Sequence, residues 1–181
     1  MLEHDLYEPV YNYLELVFRG RLKPLYGDLR HITAITANTG GNATGIWSKP
    51  DLAMIALSRQ KYGLAWRIDL HGFEVKPAGT CSVQSVHEAL NHSSLVHFTH
   101  LVWHCERWDA RDERCASIIE RCSHFGVGLI TFKRPSDPQT YFVQLPARRH
   151  NPEPDAFDEF VETRISPEDR EKLTAWIAEL R

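Results

Sequence analysis

Long apolar runs are missing from this 181-residue chain. None approaches the roughly 20 consecutive residues that span a bilayer, so no membrane helix is expected. The opening residues, MLEHDLYEPV, are acidic and lack the basic-then-apolar layout of a secretion leader. A cytoplasmic protein is therefore the expectation. Cysteine is sparse, and the four present (Cys81, Cys105, Cys115, Cys122) form neither a CxxC pair nor a zinc-ribbon spacing. They read as reduced thiols that act mainly as small buried hydrophobes. No GxSxG elbow is present to seat a hydrolase serine. GVGLI (126–130) leads into a strand pattern rather than a helix start, which excludes a Rossmann phosphate loop. Repeats and low-complexity segments are absent. Positive charge is not in excess: the formal net charge of −3 argues against a general polyanion binder. Local basic clusters in FRGRLK (18–23) and ARRH (147–150) still allow a basic face.

What is there is ordinary for a globular chain: 43% hydrophobic and 25% charged residues, enough for one domain with a sizeable core. From Glu3 to about Arg19, Leu6, Val10, Tyr13, Leu14, Val17 and Phe18 recur at helical spacing, with Pro9 near the start. HITAITA (31–37) reads as a strand, and the glycine-rich stretch 37–45 as a loop. DLAMIAL (51–57) and LAWRIDLHGFEV (64–75) form an antiparallel hairpin across the polar link 58–63. A helix is predicted from Ser82 to about Thr99, a strand in LVWHC (101–105) and a charged helix over 109–124. Strands in 126–132 and 141–145 follow, and a helical extension, broken at SPED, occupies about 155–181. An early hairpin combined with helical crossovers predicts an α/β fold with a mixed sheet and helices on both faces.

One place carries chemistry. Side chains alternate along a strand, so Glu74 and Lys76 share a face about 7 Å apart. Asp51 opens the neighbouring strand and converges on Glu74 if the hairpin is in register. Two close carboxylates repel unless a proton or cation lies between them. An oxygen-only pair suits Mg²⁺, which keeps several waters and needs few carboxylates. A lysine beside it can steer water toward a phosphate.

Pro50-Asp51 followed by Glu74-Val75-Lys76, with 22 residues between the two acids, resembles the motif of the PD-(D/E)XK nuclease superfamily. The similarity extends to element order over roughly residues 3 to 132 and implies a restriction-endonuclease-like mixed β-sheet flanked by helices on both faces. It further implies a Mg²⁺- or Mn²⁺-dependent endonuclease acting on DNA. Asp51 and Glu74 would hold the metal with the Val75 carbonyl assisting, and Lys76 would position or activate the attacking water. Glu8 matches the acid that the leading helix often contributes, with Glu3 as second choice. Gln84 matches a glutamine on the crossover helix, where His87, Glu88 and Asn91 share its polar face. No recognition module accompanies the motif. Selectivity would then come from loops, a homodimer partner or a separate protein.

Competing readings remain in view. Asp51 could be a cap after proline, and Glu74 with Lys76 an edge-strand ion pair. The whole chain could be an inactive nuclease-fold module that binds nucleic acid or protein. His97, His100 and His104 would form a zinc site only on one continuous helix. In the long segment before Asp51, Asn38, Asn42, Thr44, Lys49 and Trp47 are candidate backbone or base contacts.

Overall fold

Six strands form one sheet in chain order in the computed structural model, which describes residues 1–26, 28–37, 49–59 and 66–179. The strands are β1 (Asp28–Ile35), β2 (Leu52–Arg59), β3 (Trp66–Lys76), β4 (Phe98–His104), β5 (Gly128–Phe132) and β6 (Tyr141–Leu145). β1, β2 and β3 pair antiparallel, β3–β4 and β4–β5 parallel, and β5–β6 antiparallel. The mixed α/β sheet expected from the element order is thus present, with residues 31–35 of HITAITA in its first strand and Thr36 and Ala37 just past its end. The hairpin register sets Leu52 opposite Phe73 and Ile55 opposite Leu70.

β2 is buried over nearly its whole length, which explains its unbroken apolar sequence: a strand covered on both faces cannot alternate with polar residues. Leu52, Met54 and Ala56 pack with Phe73, Val75, Val102 and Ile130 beneath the leading helix. Ala53 and Ile55 face the other way, against Leu70 and the C-terminal helices α5 (Pro154–Arg164) and α6 (Pro167–Ala178). Leu101, Trp103 and Leu129 pack on that same side against α3 (Val83–Asn91) and α4 (Glu113–Phe125). Helices therefore cover both faces. Tyr13 stacks on Tyr141 at 4.3 Å and Tyr141 on Phe132 at 4.5 Å. Each such pair adds about 0.5–1.5 kcal/mol beyond its buried area.

The leading helix runs further than its apolar spacing indicates. It comprises a 3-10 turn (Glu3–Leu6), α1 (Tyr7–Tyr13), a π turn (Leu14–Phe18) and α2 (Arg19–Tyr26). The basic FRGRLK stretch, which lacks apolar periodicity, is helical through most of its length. α3 stops at Asn91 rather than near Thr99, because Leu95 and Val96 donate back to the His92 carbonyl and β4 recruits the chain from Phe98 onward. Ser82 caps α3 by accepting from the Gln84 amide. Asp112 caps α4, which ends in Gly126 at φ 77°, a left-handed residue that glycine adopts without Cβ strain.

All four cysteines are buried free thiols. Among the described residues no helix is long and apolar enough to cross a membrane. Asn38, Asn42, Thr44 and Trp47 lie outside the described residues.

Candidate active site

Residue 51 is fixed by its backbone before its side chain does anything. Its amide donates to the Phe73 carbonyl at 3.0 Å, and its carbonyl accepts from the Thr36 and Ala37 amides at 2.8 and 2.9 Å. The Thr36 hydroxyl donates to the Pro50 carbonyl at 2.6 Å. The Pro-Asp pair is thereby clamped between the end of β1 and the middle of β3. The Asp51 carboxylate, 8% exposed, accepts from the Val75 amide at 2.8 Å and from the Tyr7 hydroxyl at 2.9 Å.

Glu74 and Lys76 meet on one side of β3, Nζ lying 2.7 Å from Oε1. The other Glu74 oxygen is 2.9 Å from Nε2 of His92, a fully buried imidazole just beyond α3. Lys76 also reaches Glu88 of α3 at 3.0 Å and Glu3 of the first turn at 3.2 Å. One ammonium thus gathers carboxylates from three elements. The end of β3 is where the two helical layers approach each other.

The electrostatics separate the two acids. Burial, then the neighbouring Glu74 charge, pushes the Asp51 carboxyl up to about 7 against the opposing Val75 hydrogen bond. Burial would raise Glu74 too, but the His92 hydrogen bond and the Lys76 charge outweigh it and hold that carboxyl below its ordinary value. For Lys76, burial disfavours the charge, while Glu74, Glu88 and Glu3 more than offset this and hold the ammonium charged. Tyr7 is raised by burial and by Asp51, so it remains a donor.

The donor chemistry fits a hard divalent cation. Each carboxylate oxygen of Asp51 and Glu74 has one hydrogen-bond partner and retains a second lone pair. The Phe73 carbonyl and the Val75 amide both face the Asp51 side of β3. Because the N–H and C=O of one strand residue point the same way, the Val75 carbonyl shares that edge, past the point where β2 begins. Two carboxylates and a carbonyl, with waters completing the shell, is a Mg²⁺ donor set. Among the described residues no group of three or more His, Cys, Asp and Glu side chains is arranged as a metal centre, so protein side chains alone would not saturate an ion.

Of the residues singled out in the sequence, Asp51, Glu74, Val75 and Lys76 are brought together. Glu8 is exposed and lines a different hollow with Tyr11, Thr33 and Asp169. Glu3, one helical turn before Tyr7, is the acid of the leading helix that meets Lys76. Gln84 is exposed on α3. Glu88, four residues on, touches Lys76, and His92, four further, touches Glu74. The 84–88–92 spacing, one residue per helical turn, is the sequence signal that points to His92. His87 turns instead to the Phe125 ring at 5.2 Å.

The zinc trio is dispersed. His100 and His104 lie in β4 about 13 Å apart along the strand. His97 precedes β4 and accepts from the Leu70 amide at 3.0 Å. No family model matches the chain, and no curated protein matches it.

Proposed function

We propose that the chain is a metal-dependent nuclease with a restriction-endonuclease-like fold that hydrolyses phosphodiester bonds in DNA. The observation that carries this reading is the buried Asp51 carboxylate hydrogen-bonded to the backbone of the residue between Glu74 and Lys76. Burying two acids at adjoining positions is costly unless a cation compensates the second charge. Mg²⁺ or Mn²⁺, when bound, supplies charge neutralisation at the scissile phosphate and acidifies a water. Asp51, Glu74 and the Val75 carbonyl would hold it.

The chain's own groups do the rest. Lys76, kept as an ammonium by Glu74, Glu88 and Glu3, donates hydrogen bonds and stabilises developing negative charge; it is not a proton acceptor in this state. Its role is therefore to orient water rather than deprotonate it. His92 and Tyr7 fix the rotamers of Glu74 and Asp51.

A second reading is favoured by the same hydrogen bonds: with every carboxylate oxygen partnered, the cluster could be a structural ion-pair network in a non-catalytic module that binds nucleic acid or protein. Incubation of supercoiled plasmid with Mg²⁺ or Mn²⁺ separates the two. The nuclease reading expects nicking that both Asp51→Ala and Lys76→Ala abolish. Binding without cleavage, equal in all three proteins, would establish the inactive module instead.

A further inference from the structure

Lys76 is more fully engaged than its role in the reaction allows. Its ammonium carries three N–H donors, and a carboxylate stands at each: Glu74 at 2.7 Å, Glu88 at 3.0 Å and Glu3 at 3.2 Å. No donor is left for a water or a phosphate oxygen. The side chain is only 12% exposed, so an incoming group reaches Nζ by taking the place of one of the three.

The three are not held alike. Glu74 is buried in β3, with His92 on its second oxygen at 2.9 Å. Glu88 projects from α3, which is fixed to the sheet through the buried Val86 and Ala89. Glu3 stands on a four-residue 3-10 turn, and the residues before it, Met1 and Leu2, are exposed. Its second oxygen lies 3.2 Å from the Tyr7 hydroxyl. That hydroxyl has one proton for two carboxylates, and its shorter contact, 2.9 Å, is with Asp51. Glu3 thus has the longest contact to Lys76, a poorly served second oxygen, and a side chain 37% exposed. A partly exposed ion pair of this kind is weakly held, and its carboxylate can turn into water.

We propose that the Glu3 carboxylate is a built-in stand-in for the substrate phosphate, and that a phosphodiester takes over its position on Lys76 while Glu3 rotates into solvent. This rests on the nuclease reading, which identifies the entering anion. A phosphodiester, like a carboxylate, is a monoanion whose oxygens accept charge-assisted hydrogen bonds, so one acceptor replaces another. The exchange leaves the local charge unchanged, and Glu74 and Glu88 still hold the ammonium. The freed N–H then faces the scissile phosphate and the water that attacks it. A neutral water alone cannot replace the charge of Glu3, so Lys76 stays closed until DNA arrives.

Anisotropy titrations of a short labelled DNA duplex in Ca²⁺ test this with wild type, Glu3→Gln, Lys76→Gln and the double variant. Glu3→Gln should bind about fivefold or more tighter than wild type, the scale of opening one partly exposed ion pair. That gain should vanish in the Lys76→Gln background, whereas a general loss of negative charge would preserve it. The Lys76 ¹⁵Nζ resonance should move when DNA saturates Glu3→Gln. Equal or weaker affinity in Glu3→Gln overturns the proposal, as does a gain that persists without Lys76. Should Lys76→Gln not fold, an unmoved Nζ resonance overturns it equally. Plasmid nicking in Mg²⁺, measured in parallel, tells the two readings apart. Tightened binding without nicking by wild type or Glu3→Gln removes the nuclease reading and leaves the phosphate position on Lys76. Nicking by wild type that slows in Glu3→Gln removes the stand-in and leaves the nuclease.

Discussion

Acidification below about pH 6.5 should destabilise this fold through His71 and His100. Burial, reinforced by the positive groups His97 and Arg67, lowers His71 from 6.5 to about 3. His100 is pushed down by burial and by His71, whose Nδ1 lies 3.1 Å from its Nε2, and the exposed Arg21 beside the pair adds positive charge on the same side. In the unfolded chain both imidazoles bind protons at ordinary values. Between 6.5 and about 3 the unfolded state therefore holds more protons than the native state, and stability falls as the pH falls. At about pH 5 the His71 share alone is about 2 kcal/mol, a sizeable fraction of the roughly 5–15 kcal/mol typical of a domain. His100 adds to it in the same direction. Urea unfolding followed by tryptophan fluorescence at about pH 7.5 and about pH 5 measures the loss in wild type and in His71→Phe. Groups away from the pair act on both chains alike, and because His71 also helps to depress His100 the difference reports the imidazole pair: wild type should lose at least about 2 kcal/mol more than the variant. Parallel losses in the two proteins, or a His71 resonance that titrates in the native state near its ordinary value, would refute the reasoning.

Three further outcomes follow from the same geometry. Asp51→Asn removes the like charge buried beside Glu74; in EDTA at about pH 8 it should raise unfolding stability by about 2 kcal/mol while eliminating any Mg²⁺-dependent rise in Tm. An Asp51→Asn protein no more stable than wild type would mean that the two acids do not repel. His92→Ala leaves one Glu74 oxygen without its buried partner and should cost about 1–3 kcal/mol in urea unfolding, together with a weaker calorimetric affinity for Mn²⁺. Gly128→Ala drives a methyl into His100 and the Ala147 backbone and should cost about 1–3 kcal/mol, visible as a lowered Tm by circular dichroism.

Much of this molecule is legible in its sequence because local chemistry and tertiary context agree. The apolar run in 51–57 demands a strand buried on both faces, the extended pattern in 64–75 supplies its partner, and the polar link between them demands a hairpin. Once that hairpin forms, the two-residue period of a strand puts Glu74 and Lys76 on one side without further information. Asp51 converges on them because the register pairs Leu52 with Phe73. Where sequence spacing failed, a long-range contact had overridden it. Helical periodicity continues past Asn91, yet β4 pairing with β3 takes the chain away from Phe98 onward. His97, His100 and His104 suit a helix face only on paper, since β4 spreads them along a strand.

Composition, elements and the pairing of two acids with a lysine were therefore determined by the chain itself, through periodicity and burial that act over a few residues. Only the tertiary structure decided that Glu3 rather than Glu8 meets the lysine, that His92 holds Glu74, and that two imidazoles distant in sequence touch. Those outcomes depend on how far helices rotate and slide over the sheet. No local spacing records that rotation, because it is set by the summed packing of the whole core.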